Sequence, residues 1–363
     1  MEAEVSRWQL KVSLGKLSPL VIFVVFIFGS AFAQTLTVLT HDSFAVSEEV
    51  LNAFTEQTGI EVEILPAGDA GEMVNRAILT KANPLADVLY GIDNSLLERA
   101  RAEDLFESYE SPELTKVEEA FRFAPDNLVT PIDVGFVNFN LDRAFFAERN
   151  LALPQTLEDL TDPAYQGLTV VANPATSSPG LAFMLATIAH FGQEGWLEYW
   201  ATLRDNDLLV TSGWTDAYYT AFSRYGGDRP IVLSYASSPA AEVMFAEEAL
   251  DDAPTLNLFC ETCVYQQIEA AGILKGTAHR TEAEAFIDFM LSEAFQADIP
   301  ANMFVYPVVA GTPLPAEFTA YSQRPAPEQI ADLPAAEIES NLPTWLRQWT
   351  GVVEQGRSPE DVR

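Results

Sequence analysis

The sequence predicts an α/β fold of two lobes that enclose a ligand cleft and are joined by two crossing strands. Three observations carry the prediction. Short apolar segments alternate with amphipathic helical ones across residues 36–99, and the alternation resumes across residues 168–249; repetition of this kind builds a mainly parallel sheet covered by helices. Two more strands, residues 134–141 and 265–271, stand where the chain leaves the first unit and where it returns. A length of 363 residues with 48% hydrophobic content is enough core for two ordinary domains.

In chain order, residues 1–33 read as an export leader. Arg7, Lys11 and Lys16 precede the apolar run 20–28, and Ala31-Phe32-Ala33 offers small residues at the positions a signal peptidase reads. The run is far shorter than the roughly 20 residues a membrane span needs. Cleavage is expected before Gln34, with the mature chain periplasmic or otherwise extracytoplasmic. No cysteine follows the apolar run, so no lipid attachment is indicated, and no later segment is long and apolar enough to span a bilayer.

The first lobe is expected to open over residues 34–131. A strand at 36–39 runs into the turn-like His41-Asp42-Ser43, then a helix at 47–57, a strand at 60–65, a helix at 70–80 and a strand at 86–90. The turn Gly91-Ile92-Asp93-Asn94 then opens a helix through residue 99. The second lobe takes residues 132–267, with strands at 134–141, 168–171, 208–210 and 231–233 and helices at 180–191, 195–203, 216–222 and 239–249. Residues 268–312 return to the first lobe with helices at 282–291 and 293–297. The tail, 313–363, carries Trp345 and Trp349 and reads as a helical packing element. In open α/β sheets ligands sit at the carboxyl ends of strands, which is where the two turns fall.

Composition narrows the function. The chain holds 53 Asp plus Glu against 20 Lys plus Arg, a net charge of −33 and a pI near 4.2, with no basic stripe, so a nucleic-acid partner is excluded. Residues 1–33 contribute only Glu2 and Glu4 to that acidity, which therefore belongs to the folded part. It serves either surface solvation or a field that favours a cationic ligand. No Gly-x-Ser-x-Gly elbow, His-Glu-x-x-His helix or phosphate loop is present, so an enzyme is not expected, and no cofactor is implied. Cys260 and Cys263, the only cysteines, form a Cys-Glu-Thr-Cys unit for which a local disulfide is expected in an oxidising compartment. His41, His190 and His279 are scattered singly, so no metal role is assigned.

The candidate binding residues follow from element ends. Thr176-Ser177-Ser178-Pro179-Gly180 starts a helix, and Ser237-Ser238-Pro239 repeats the arrangement after the strand ending at Tyr235. Such starts either cap themselves or turn hydroxyls and free N–H groups to an anionic or polar ligand group. Trp214, Tyr218, Tyr219, Tyr235, Phe304 and Tyr306 lie near loop and strand ends, where they either pack in the core or stack on a planar cation. Asp42, Asp93 and Asp133 either cap turns or supply the countercharge.

Seven segments, in this order across residues 35–315, together resemble the thiamine-binding receptors of bacterial ABC importers, within the type II periplasmic binding proteins. They are Thr40-His41-Asp42-Ser43-Phe44, the 91–97 segment Gly-Ile-Asp-Asn-Ser-Leu-Leu, Pro131-Ile132-Asp133-Val134-Gly135, the 176–180 helix start, Gly213-Trp214-Thr215-Asp216-Ala217-Tyr218, the 233–239 segment ending Ser237-Ser238-Pro239, and Tyr306-Pro307-Val308. The resemblance implies the type II two-lobed fold and a hinge-closing receptor. It would carry thiamine, and thiamine phosphates, to an ABC permease and its ATPase. It also implies that Asp42, Ser177, Gly180, Trp214 and Tyr235 lie in the cleft, the 177–180 helix start facing the hydroxyethyl or phosphate end. His41 stands where the family has Tyr, and Phe304 where it has Trp.

Three other readings stay open on the sequence. A ferric-ion receptor of the same superfamily would use Tyr218, Tyr219 and His41. A polyamine receptor would use the same acids and rings. An exported hydrolase would need His41 with Asp42 and a nearby serine.

Overall fold

The computed structural model describes residues 34–363; the leader and its cleavage site lie outside them. β1 (Gln34–Thr40) leads into α1 (Glu48–Thr58), which Ser47 caps through its hydroxyl and Gly59 ends in the left-handed conformation. β2 (Ile60–Pro66), α2 (Ala70–Thr80, capped by Asp69) and β3 (Val88–Asp93) follow. β1 sits between β2 and β3 and runs parallel to both, with Val38 opposite Ile64 and Val88. After α3 (Leu97–Ala102) and the two-residue β4 (Phe106–Glu107) comes β5 (Thr130–Asp142), thirteen residues long and buried throughout. A strand buried along its whole length belongs to the middle of a sheet, not to its edge.

α4 (Arg143–Arg149) follows β5, and the second alternation then begins. β6 (Thr169–Ala172), α5 (Ser178–Asp205), β7 (Leu209–Thr211), the single turn α6 (Trp214–Asp216), β8 (Ile231–Tyr235), α7 (Ser238–Met244) and β9 (Thr255–Leu258) succeed one another. β6 runs parallel to both β7 and β8. β10 (Tyr265–Leu274) then returns antiparallel between β3 and β5, and the strand order is β2-β1-β3-β10-β5-β8-β6-β7. Each parallel set is thus tied to the other through the antiparallel pair β5 and β10. α8 (Arg280–Met290), α9 (Glu293–Asn302), β11 (Tyr306–Pro307), α10 (Ala316–Tyr321), α11 (Ala335–Val353) and α12 (Pro359–Val362) complete the chain. Cys260 and Cys263, between β9 and β10, are joined as a disulfide.

Four elements differ from the sequence expectation. Gly91, Ile92 and Asp93 do not turn but continue β3. Ile92 pairs with Ala270 and Tyr90 with Ala271, so Gly91, at φ 98°, is the extra residue of a bulge that only a residue tolerant of positive φ fills cheaply. The two helices expected at 180–191 and 195–203 form one run bent at Gly192, whose φ 69° and ψ 175° are not helical. The helix expected at 216–222 is the turn α6 followed by a π-helical turn, Ala217–Ala221. The helix expected through 249 stops at Met244, because the residues beyond have no surface to bury against and Phe245 stays 60% exposed. In the tail, Trp345 and Trp349 are buried on α11, with Trp349 edge-on to Trp200 at 5.5 Å. The tail also lays its backbone along the start of β10, through Val264 N to Gln329 O at 2.9 Å and Ala331 N to Val264 O at 2.7 Å.

Candidate functional site

The carboxyl ends of the parallel strands point toward one cavity of about 790 Å³. The turn after β1 supplies His41, Asp42 and Ser43, the loop after β2 supplies Asp69, and the start of α5 supplies Ser178. From the other side come Trp214, Tyr218, Tyr235 and Ser238, and from the chain after α9 comes Phe304. Asp42 holds its own turn in place by accepting from Gly68 N at 2.9 Å.

One wall is aromatic. The Trp214 indole donates to Ser234 Oγ at 2.8 Å and stacks on Tyr218 at 5.1 Å and 20°, with Tyr235 inclined to it at 6.4 Å. Ser238 Oγ lies 2.9 Å from Ser234 Oγ and accepts from Tyr235 N at 3.3 Å. These bonds fix the indole and the Tyr235 backbone without spending the faces of the rings. Tyr218 donates to Glu242 at 2.6 Å, and burial pushes the Glu242 carboxyl up to about 7 against that bond. Phe304, at φ 57°, sets its ring 5.2 Å from Phe245, and its carbonyl accepts from Ser237. A non-glycine residue at positive φ is held there by its surroundings.

The floor is acidic. Glu269 of β10 lines the cavity and lies 3.5 Å from His41 Nε2, and it accepts from Gln267 Nε2 at 3.0 Å. Asp133 takes the Tyr90 hydroxyl, and Asp93 accepts from Ser95 N at 2.7 Å and from Leu96 N at 3.1 Å. Burial and then the charge of Glu269 hold the Asp133 carboxyl well above the usual carboxylate range. Asp93 is pushed up to about 7, chiefly by burial. Burial pulls the His41 imidazole down, but the charge of Glu269 and the contact with it outweigh this and leave it raised.

Of the residues singled out on the sequence, His41, Asp42, Ser43, Ser178, Trp214, Tyr218, Tyr235, Ser238 and Phe304 line the cavity, as does Tyr219. Asp93 and Asp133 lie in the sheet beneath it. Ser177 is buried and does not line the cavity. Gly180 packs against β6, where a β-carbon would fall 2.3 Å from Ala172 O. Tyr306 turns away and donates to Ser322 Oγ at 2.7 Å. Glu269, Asp69, Glu242 and Arg224 also line the cavity and were not singled out. For Glu269 the available signal was a lone acid midway along β10, between Ile268 and the apolar Ala270 and Ala271.

The arrangements needed by two of the other readings do not assemble. The Tyr218 hydroxyl is engaged with Glu242 while Tyr219 is 45% exposed, and His41 faces Glu269. Among the described residues no group of three or more His, Cys, Asp and Glu side chains is placed to hold a metal ion. Asp42 is spent on Gly68 and Ser43 lies against Thr215 at 3.4 Å, so neither completes a triad with His41.

Residues 83–330 match the family model described as bacterial extracellular solute-binding protein. The thiamine-binding periplasmic protein of Salmonella typhimurium is 30% identical over 331 residues, covering 90% of this chain and 95% of that protein. The protein of the same name from Brucella suis is 31% identical over 324 residues, covering 87% and 91%. A solved periplasmic thiamin binding protein superposes with a TM-score of 0.79 at 28% identity, covering 90% of this chain and 98% of that one.

Proposed function

The chain belongs to the bacterial extracellular solute-binding protein family, and from that membership we propose that it is an extracytoplasmic receptor for thiamine, which it hands to an ABC permease and ATPase. One observation supports this best: an aromatic wall, Trp214 with Tyr235, stands over a carboxylate floor, Glu269. Rings give a flat aromatic ligand an apolar bed and draw positive charge to their faces, while the carboxylate supplies the countercharge. Thiamine is an aromatic cation with a hydroxyethyl arm that suits this pairing. Ser178 at the start of α5 lines the same cavity with its hydroxyl unpartnered, which suits the arm or a phosphate on it. The ligand leaves unchanged, so no turnover is expected.

Calorimetric titration of the chain from Gln34 onward with thiamine and its mono- and diphosphate tests the reading. Trp214→Ala and Tyr235→Ala are each expected to weaken binding by about 30-fold, as loss of a buried aromatic anchor does. Ferric citrate and putrescine serve as competitors. Silence toward all three thiamine compounds, or tighter binding of putrescine, would retire the proposal.

A further inference from the structure

We propose that cation capture in this cleft is proton-coupled: Asp133, Asp93 and His41, gathered around Glu269, hold excess protons in the ligand-free protein and release them as a cationic ligand meets Glu269. The inference rests on the reading of the ligand as a cation. Its basis is a row of three carboxylates. Glu269 of β10 is paired in register with Asp93 of β3 on one side and with Asp133 of β5 on the other. Cross-strand partners share a face with β-carbons roughly 5 Å apart, and like charges placed so repel. All three side chains are buried, Asp93 and Asp133 completely.

The groups that face the row offer one cation. The chain after β1 and β2 brings His41 and Asp69, the latter committed to Ala70 N and Trp214 N. β3 brings Tyr90, β8 Tyr235, and β10 Gln267 and Tyr265. None of these is Lys or Arg. Even with His41 as the imidazolium, three ionised carboxylates would leave the cluster with a net charge of about −2 away from water, which carboxylates sharing a site avoid by keeping a proton. Asp93 Oδ2 and Asp133 Oδ1 are buried without a hydrogen-bond partner and His41 Nε2 has only the 3.5 Å contact with Glu269, as befits sites whose proton comes and goes. The raised positions of Asp93, Asp133 and His41 agree in direction: each keeps its proton to higher pH than it would in water.

A positive ligand charge beside Glu269 lowers all three, so protons pass from the cluster to solvent and the ligand itself is unaltered. Affinity therefore rises with pH through about 7, where Asp93 titrates, and falls below it, with the raised His41 adding to the rise. The change is up to roughly tenfold per pH unit for each proton released.

Titration with unphosphorylated thiamine, in buffers of different ionisation heat at pH 7, reads the protons released as the slope of apparent enthalpy against that heat. A slope near one or above is expected, reduced in Glu269→Gln, which should also bind at least tenfold more weakly. Binding with zero slope overturns the coupling. A second measurement needs no ligand: the chain has three histidines, and NMR titration with His41→Asn as the assignment reference isolates His41. Its midpoint should lie above 6.5 and drop in Glu269→Gln; a midpoint at or below 6.5 overturns the protonated cluster whether or not thiamine binds. Silence toward thiamine beside a high His41 midpoint instead retires the thiamine reading alone.

Discussion

At the scale of single residues, the shape of the cleft depends on an atom that is missing. Gly135 of β5 lies under the Tyr235 ring, and a β-carbon there would fall 2.7 Å from Tyr235 Cδ1. A ring cannot yield as a flexible chain end does, so Gly135→Ala must tilt Tyr235 away from its place beside Trp214. Thiamine affinity should fall about tenfold in calorimetry while the thermal midpoint moves by only a few degrees. An unchanged affinity would show that the Tyr235 ring position does not matter to the ligand. Residues of this kind were partly legible in advance. Trp214, Tyr235 and Ser178 announce themselves because rings and hydroxyls at element ends are unusual core material. Gly180 and Tyr306 carry the same signals yet serve packing, since a glycine that admits a ligand and one that admits a neighbouring backbone read alike. Glu269 stayed hidden because its importance comes from what two other strands place beside it.

At the scale of elements, α5 shows how a bent helix is kept as one body. Its two arms meet at Gly192, and Trp200 of the second arm donates to Thr187 Oγ1 of the first at 2.9 Å, both side chains fully buried. Thr187→Val keeps the volume but strands the indole N–H, and unfolding in urea should show a loss of about 1–3 kcal/mol. Thr187→Ser keeps the hydroxyl and should lose less; equal losses in the two variants would assign the effect to packing. The interruption near residue 192 was visible in the sequence as a gap between two periodic runs. The bulge at Gly91 was misread as a turn, because glycine serves both and only the register against β10 separates them. β4, β9 and β11 were missed because strands this short show in the sequence only where they alternate with helices, as β6 and β7 do.

At the scale of the whole molecule, the alternation of strands and helices made the two sets of parallel strands legible, and the two long strands between them as well. The run of the tail beside Val264 was not, since nothing in residues 328–331 says against what they lie. Contacts also cross the mouth of the cleft: Trp214 N to Asp69 Oδ2 at 2.9 Å, Glu72 N to Thr176 O at 3.2 Å, and Ser43 Oγ to Thr215 Oγ1 at 3.4 Å. A disulfide placed at this last pair, Ser43→Cys with Thr215→Cys, tests whether the walls must part. Oxidised before ligand is added, the double variant should fail to bind thiamine; oxidised with ligand present, it should keep it through dialysis. Equal binding by oxidised and reduced forms would show that entry needs no opening.

β5 and β10 carry Asp133 and Glu269 at the cleft floor, and they are also the strands the two half-sheets share. In a receptor that closes about these strands, the floor would be the fulcrum, where a swing of the walls produces almost no travel and the rim the most. Recognition and retention would then fall at different radii: a ligand is identified by the part that stands still and detained by the part that moves.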